Sequence, residues 1–393
     1  MRLKKFKIPS VALIHELALQ YPVWIEIDSQ AIKKNFQEIR KIVGTKVFVM
    51  GIVKANAYGH GIKEVSELFQ EAGADYLGVN NLTEALSLRK EGINLPILIL
   101  GEVSKKDLES VVKNNFEFVG YDLNYLRELD TIASELGKKV KVHLKIDTGM
   151  NRIGISLDQI DDLIETIPKL KSSKIAGIMT HFAASDELKK RSYFEKQLKR
   201  FQEVLFEFQK AGLNIPLRHT ANSAATILYP ESHLDLVRVG LALYGLWPPE
   251  DTSRAKGKNL ELTSVLSLKT KIIQIKTIKK GNCIGYGCTY KAPSDIKVAI
   301  LPIGYAEGYG RILSDQAEVL INGKRAPVRG RISMNLTVVE IDKIPEAKVG
   351  DEVVVIGKQG NEEITVDDLA KMSETINYEI VTRLAESIPR IIK

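Results

Sequence analysis

Short β-branched runs recur along the first 240 residues, separated by charge-rich segments of helical length. The runs are VWIEI at 23–27, VFVMGIV at 47–53, YLGV at 76–79, PILIL at 96–100, FEFVG at 116–120, VKVHLKI at 140–146, IAGIMTH at 175–181, LRHTA at 217–221 and LDLVRVG at 234–240. Such apolar runs read as buried strands, and the segments between them, for example 61–72 and 186–211, read as amphipathic helices. With the first run set aside, eight strands alternate with helices, which predicts an α/β fold of the (β/α)8 TIM-barrel type. A doubly wound open sheet is the rival, but no G-x-G-x-x-G follows an early strand.

After about residue 255 the pattern changes. Residues 263–278, 297–303, 317–321, 325–341 and 352–357 are strand-like and are joined by turn signals such as Lys280-Gly281, Asn322-Gly323 and Val349-Gly350-Asp351. One late helix is expected at 365–376, opening on a Thr cap. The expected organisation is an N-terminal extension (1–20), a strand (21–28) pairing with the C-terminal domain, a barrel (29–256) and a mostly antiparallel β domain (257–393).

Composition narrows the function. The chain carries a net charge of +7, but its Lys and Arg are interleaved with Glu, as in ELKKRSYFEKQLKR at 187–200, which reads as solvated helix faces and argues against nucleic acid. No run approaches the ~20 apolar residues that span a bilayer. The apolar stretch in 1–20 is broken by His15 and Glu16, which argues against a signal peptide. Cys283 and Cys288 make neither a disulfide framework nor a common zinc pattern, so no metal is expected and a reducing, cytoplasmic setting is the natural reading.

Barrel enzymes work at the carboxyl ends of their strands. That rule selects Lys54 after the first barrel strand, Asp147 and Arg152 after the fifth, His181 after the sixth, Asn222 and Ser223 after the seventh, and Arg238 with Gly240 on the eighth. A lysine at the end of a buried strand is costly as a cation, and once neutral it is a nucleophile toward carbonyls. The competing reading is a lysine that snorkels to the rim. The loops after the last two strands, A-N-S-A-A-T and V-G-L-A-L-Y-G, offer a hydroxyl and small residues for close approach to a phosphate, or simply tight packing. A carbonyl-reactive lysine and a phosphate site at one mouth together point to pyridoxal phosphate.

Nine motifs then stand in one order: V-K-A-N-A-Y-G-H-G (53–61), K-I-D-T-G-M-N-R-I-G (145–154), T-H-F-A (180–183), H-T-A-N-S-A-A (219–225), V-R-V-G-L-A-L-Y-G-L (237–246), G-Y-G-C-T-Y (285–290), I-G-Y-A-E-G-Y (303–309), G-R-I-S-M-N (330–335) and I-N-Y-E (376–379). Together, over about 21–393, they resemble the alanine racemases. The resemblance implies a pyridoxal 5'-phosphate isomerase acting on a small amino acid and supplying D-alanine for peptidoglycan, as a homodimer with active sites shared between subunits. It implies that Lys54 holds the cofactor and is the base on one face of the substrate. It implies equally that Tyr286 of the other subunit is the base on the opposite face. A free tyrosine has a pKa of ~10, so this role needs cationic neighbours. Arg238 and His181, with His219 behind them, resemble that network.

By the same resemblance Arg238 donates to the pyridine nitrogen, which an always-protonated guanidinium leaves unprotonated. Tyr58, Ser223, Gly240, Leu241 and Tyr378 resemble the phosphate-binding set, with Asn222 beside them among the cofactor-binding residues. Arg152 resembles the donor to the cofactor's phenolic oxygen and to the substrate carboxylate. The Met334 backbone N–H and Tyr305 resemble the groups lining the substrate pocket. Lys145 stands where some relatives carry a carbamylated lysine that props this arginine. His60, His143 and His233 are read as structural.

The chain departs from the family pattern at Asn335, where Asp is usual, at Ser333, where many relatives have Cys, and at Ser387, where an Arg and its C-terminal ion pair are usual. Competing activities are a racemase for serine or for a broad range of amino acids, and a decarboxylase on the same architecture. Also weighed are a non-catalytic cofactor carrier, disfavoured by the full β domain, and a cofactor-free aldolase.

Overall fold

A computed structural model describes residues 21–248, 252 and 260–393; the extension at 1–20 lies outside them. Two compact units emerge, Ile32–Ala57 with Val65–Thr263, and the chain up to Ala31 with Tyr58–Glu64 and Ser264–Lys393. The short piece 58–64 counts with the second unit because Gly59 lies against the Val381 backbone, and its carbonyl accepts from Arg390 Nη2 at 2.8 Å. A Cβ at Gly59 would overlap the Val381 carbonyl.

The run at 23–27 is β1 (Val23–Ile27), in the second unit. The eight remaining runs form β2 (Phe48–Ile52), β3 (Tyr76–Val79), β4 (Ile97–Ile99), β5 (Glu117–Gly120), β6 (Val140–Lys145), β7 (Ser173–Met179), β8 (Leu217–His219) and β9 (Leu236–Val239). They pair in parallel in the order β8-β7-β6-β5-β4-β3-β2-β9. Two backbone bonds of 3.0 Å cross the seam between β8 and β9, from Asp235 N–H to the Arg218 carbonyl and from Arg238 N–H to the Ala221 carbonyl. Strands covered on both faces bury nearly every residue, which is why they read as continuous apolar runs. Caps fix the helix starts, with the Asn81 and Asp122 side chains accepting from the Glu84 and Tyr125 amides.

The second unit holds β10 (Leu266–Lys271), β11 (Gln274–Ile278), β12 (Cys283–Ile284), β13 (Tyr290–Lys291), β14 (Ile296–Leu301), β15 (Glu318–Ile321), β16 (Lys324–Pro327), β17 (Thr337–Glu340), β18 (Glu352–Gln359), β19 (Glu362–Ile364) and β20 (Arg390–Ile392). Its main sheet runs β16-β15-β18-β10-β1-β20, with β19 on β18. All its pairings are antiparallel except β1 with β20. Asn322 and Gly323, at φ 51° and 73°, make the two-residue hairpin turn between β15 and β16. The stretch 325–341, which reads as strand-like throughout, is two strands around a loop in which Gly330 takes φ 72°. The late helix ends at Met372, well short of 376: Thr365 and Asp368 form its capping box, and Glu374 turns left-handed. Ser387 makes no ion pair; instead Arg390 binds the Gly59, Ala385, Glu386 and Ile388 carbonyls. Among the described residues no helix is long and apolar enough to cross a membrane.

One buried ion cluster ties β1 into this sheet. Glu26 meets Lys269 Nζ at 3.1 Å and Lys393 Nζ at 3.4 Å. Burial pushes the Glu26 carboxyl up, but the charge and hydrogen bond of Lys269 bring it out below the ordinary value. Glu26→Gln leaves a buried ammonium poorly matched and should destabilise the protein by about 3 kcal/mol, measured by denaturant unfolding. The contribution of Glu26 is complete above the ordinary glutamate pKa of 4.5 and is lost as pH falls through the lower folded value, so the two proteins should converge in acid.

Candidate active site

The carboxyl ends of the barrel strands bring together most of the residues that the sequence singles out. Lys54 follows β2 and begins an unusual turn. Ala55, Asn56, Ala57 and Tyr58 all take left-handed φ, between 51° and 54°. The turn is pinned by Ala57 N–H on the Val53 carbonyl and by Ala55 N–H on Glu84 Oε1 at 2.7 Å. Burial lowers the Lys54 ammonium pKa, Arg152 lowers it further, and Glu84 opposes both. Lys145, the last residue of β6, is pulled down to about 8 by burial first and then by Arg152, Arg238 and Lys54.

Arg152 is set by the loop that follows β6. Asp147 accepts from the backbone N–H groups of Gly149 (2.9 Å), Asn151 (3.0 Å) and Arg152 (3.1 Å), and these hold its carboxyl low against its own burial. Helix 191–210 braces the same region, with Tyr193 donating to the Gly149 carbonyl, Arg200 to the Thr148 carbonyl and Gln197 to the His181 carbonyl. His181 is held well below its ordinary pKa by burial and by Arg238, so it is neutral.

Arg238 is buried without a carboxylate partner among the described residues. Nη1 donates to the His219 carbonyl (2.9 Å) and to His219 Nδ1 (3.1 Å). Nη2 donates to the Thr180 (2.8 Å) and Thr220 (2.9 Å) carbonyls and lies 3.4 Å from His181 Nδ1. Nε makes no hydrogen bond to these residues. Burial brings the guanidinium down to about 9, so it remains a cation at neutral pH. Beside it, Gly240 N–H donates to Ser223 Oγ at 3.0 Å, and Leu241 opens a one-turn 3-10 helix. Asn222 caps the helix Ser223–Leu228 through the Ala225 amide and accepts from Ser185 Oγ.

The other sequence candidates lie in the β unit. Tyr58 and Tyr378 pack with ring centroids 6.1 Å apart, and burial raises the Tyr58 phenol. Tyr286, Tyr305 and Met334 are exposed, Tyr286 by 68%. Their loops are knit together. Tyr305 and Ala306 N–H groups donate to the Ser333 and Met334 carbonyls, and Gly285 and Gly287 pass so close to Arg331 that a Cβ at Gly287 would lie 2.8 Å from its Nη1. Asn335 donates from Nδ2 to Glu307 Oε1 at 2.7 Å. The aspartate usual at this position would set carboxylate against carboxylate, so the amide suits this neighbour.

Sequence reasoning missed several participants. Cys283 and Cys288, a pair too few for a disulfide framework, are joined as a disulfide that closes the loop carrying Tyr286. His143, read as structural, lies in a buried chain with Glu117 and His219. Each sits on its own strand, and no spacing rule joins residues so far apart.

The cations fit an anionic, phosphate-bearing carbonyl cofactor. Lys54, Lys145, Arg152 and Arg238 share one barrel mouth; beyond burial, Arg152 lowers the proton affinity of Lys54, and Arg152, Arg238 and Lys54 lower that of Lys145, a condition that an anion relieves. Small residues and a hydroxyl stand at 223 and 240–241, and Arg238 Nε has a proton to donate. An eight-stranded parallel barrel followed by a separate, mostly antiparallel β unit defines the fold class. The family models for the alanine racemase N-terminal and C-terminal domains match residues 27–248 and 265–392, and the chain belongs to the alanine racemase family. It is 43% identical to alanine racemase 2 of Caldanaerobacter subterraneus subsp. tengcongensis over 94% of each chain, and 41% identical to the alanine racemase of Methanococcus maripaludis over 95% of this chain and 99% of the relative. Among solved structures, alanine racemase from Clostridium difficile 630 superposes with a TM-score of 0.90 at 37% identity, covering 95% of this chain and 96% of that one. The Bacillus anthracis enzyme with bound L-Ala-P gives 0.88 at 36%, covering 95% of each.

Removing the organiser of the Arg152 loop should be visible without any ligand. Asp147→Ala deletes three charge-assisted hydrogen bonds, and exchange of the Gly149, Asn151 and Arg152 amides should quicken by about tenfold or more, measured by hydrogen–deuterium exchange.

Proposed function

We propose that this chain interconverts L-alanine and D-alanine, using pyridoxal 5'-phosphate held by Lys54. The cofactor, when bound, acidifies the Cα–H bond of an attached amino acid by drawing off electron density. The observation that carries the reading is a lysine whose burial and neighbour Arg152 favour its neutral form, at a mouth it shares with Lys145, Arg152 and Arg238.

The residues divide the work. Lys54 Nζ, biased toward its neutral form, takes and returns a proton on one face of the substrate. Ser223 Oγ, the Gly240 and Leu241 backbone, Tyr58 and Tyr378 would hold the phosphate, with Asn222 fixing Ser223 by capping its helix. Arg238 would donate from Nε to the ring nitrogen. Arg152 would face the phenolic oxygen and the substrate carboxylate. Tyr305 and the Met334 N–H would line the pocket. Racemisation also needs an acid on the opposite face, and Tyr286 is assigned that role from a second copy of the chain. Its strong exposure, with that of Tyr305 and Met334, supports a homodimer whose sites are completed across subunits. His181 and Arg238, with His219 behind, would stabilise its phenolate.

Two tests follow. L-alanine incubated in deuterium oxide should gain deuterium at Cα and become a mixture of the L and D forms. Tyr286→Phe should slow this by about 10²–10⁴-fold while leaving cofactor binding intact, and an unchanged rate would remove Tyr286 from the chemistry. Borohydride reduction should fix the cofactor to Lys54 alone. Separately, Lys145 is assigned as a carbamylation site that props Arg152, since an amine brought down to about 8 is about half neutral at pH 8, where an ordinary lysine is almost wholly charged. Protein equilibrated with ¹³C-bicarbonate should show a carbamate carbon signal that fades as pH drops below 8 and is missing in Lys145→Ala; no signal in the parent protein would reject this assignment.

A further inference from the structure

A continuous hydrogen-bonded chain runs through the barrel interior behind Arg238. Glu117 Oε2 is 2.8 Å from His143 Nε2, His143 Nδ1 is 2.8 Å from His219 Nε2, and His219 Nδ1 is 3.1 Å from Arg238 Nη1. All four residues are buried, both imidazoles completely. Glu117 opens β5, and its other oxygen meets Lys141 Nζ at 3.0 Å, a half-exposed group near the start of β6. The chain therefore leads from the amino ends of the strands toward the mouth that holds Arg238.

Its direction follows from the two ends. A guanidinium has no acceptor, so Arg238 donates and His219 Nδ1 is bare. His219 is neutral, because burial, His143 and Arg238 hold it well below its ordinary pKa, and its one proton is on Nε2. That proton points at His143 Nδ1, which must accept, so the His143 proton is on Nε2 and is donated to Glu117. An ionised carboxylate accepts only, and Glu117 is held ionised against its burial by His143 and Lys141. No second arrangement satisfies every member.

The fold makes room for this chain. The β6–β7 register shifts between Val142 and His143, a bulge-like irregularity of the kind that re-aims a side chain. On β7, Gly177 stands beside His143, and a Cβ there would lie on the imidazole ring.

We propose that Glu117 is a remote positioning residue for the reaction: through His143 and His219 it fixes the imidazole tautomer that accepts from Arg238, and so fixes the guanidinium that faces the cofactor ring. This rests on the assignment of Arg238 to the ring nitrogen. With His219 Nδ1 and three carbonyls taking the Nη protons, Nε is left as the donor to that ring. Glu117→Gln removes both the charge and the fixed direction. Its amide can donate to His143 Nε2, which reverses the chain and sets His219 Nδ1–H against Arg238 Nη1–H.

The test is ¹⁵N spectroscopy of the histidine side chains in the protein as purified, with the cofactor's visible absorbance followed against pH. In the parent protein, His219 should show a proton on Nε2 and a bare Nδ1 from pH 6 to 9, and His143 should show the same tautomer beside it. A doubly protonated His219, or one protonated on Nδ1, overturns the proposal without any variant. In Glu117→Gln the His219 tautomer should change, the midpoint of the absorbance titration should move by about 0.5 pH or more, and kcat should fall roughly tenfold with KM for alanine little altered. Glu117→Asp should restore part of each effect. Lys141→Ala, which touches only the exposed end, should leave the tautomers alone. A Glu117→Gln protein with parental ¹⁵N signals and parental titration sinks the idea, whatever its activity. A parent protein with no cofactor band would instead sink the functional assignment, while the tautomer pattern would still decide the chain.

Discussion

Arg238 is a buried cation that no carboxylate among the described residues touches, and much of the barrel is arranged around that fact. Bringing a guanidinium out of water costs several kcal/mol unless its donors are met. Here three backbone carbonyls and a neutral imidazole meet them. Lys54, Lys145 and Arg152 share the mouth, and the nearest carboxylates are committed elsewhere. Asp147 is occupied by backbone amides, and Glu84 by the Ala55 and Asn80 amides. The result is a region biased toward neutral amines and toward an anionic guest. Both properties have the same cause, so neither can be removed without weakening the other.

The barrel was legible in the sequence because parallel strands covered on both faces leave unbroken apolar runs, and because chemistry follows strand ends. That rule alone selects Lys54, Arg152, His181, Ser223 and Arg238, and each stands on or just after the carboxyl end of a barrel strand. What was not legible is what depends on lateral neighbours. Glu117, His143 and His219 are separated by 26 and 76 residues, and only the register of four strands makes them a chain. The 325–341 stretch misled for the opposite reason. Its β-branched residues are real strand formers, but Gly330 at φ 72° diverts the chain into the loop that presents Met334. The strands β12 and β13 are two residues each, too short for any periodicity, yet they frame Tyr286.

The β unit shows the complementary economy. Its large side chains are mostly inside, while Tyr286, Tyr305, Met334 and Leu336 are outside, on loops held by glycines that lie against backbone. A Cβ at Gly304 would collide with the Ser333 and Met334 carbonyls, so the loops at 303–309 and 330–335 can approach only with glycine there. The exposed apolar groups are thus held in place by close backbone packing, which is what a surface needs if it is to meet a partner of fixed shape.

The turn after Lys54 has the same logic in sharper form. Four consecutive non-glycine residues in the left-handed region cost roughly 1–2 kcal/mol each, a conformation that L-residues adopt singly, if at all. Nothing in A-N-A-Y announces it, because the usual signal, glycine, arrives only at 59 and 61. Such strain persists only where the surroundings over-determine it. Here Val53 and Glu84 accept from the turn's own amides, and Gly59, immediately after it, is pinned by Arg390. A right-handed turn would have been cheaper at every residue. That the chain keeps the costly one directly behind Lys54 implies that the direction of this single side chain matters more than local backbone comfort. A second side chain is placed at similar cost to regular backbone: the shifted β6–β7 register and the missing Cβ at Gly177 seat His143 against His219.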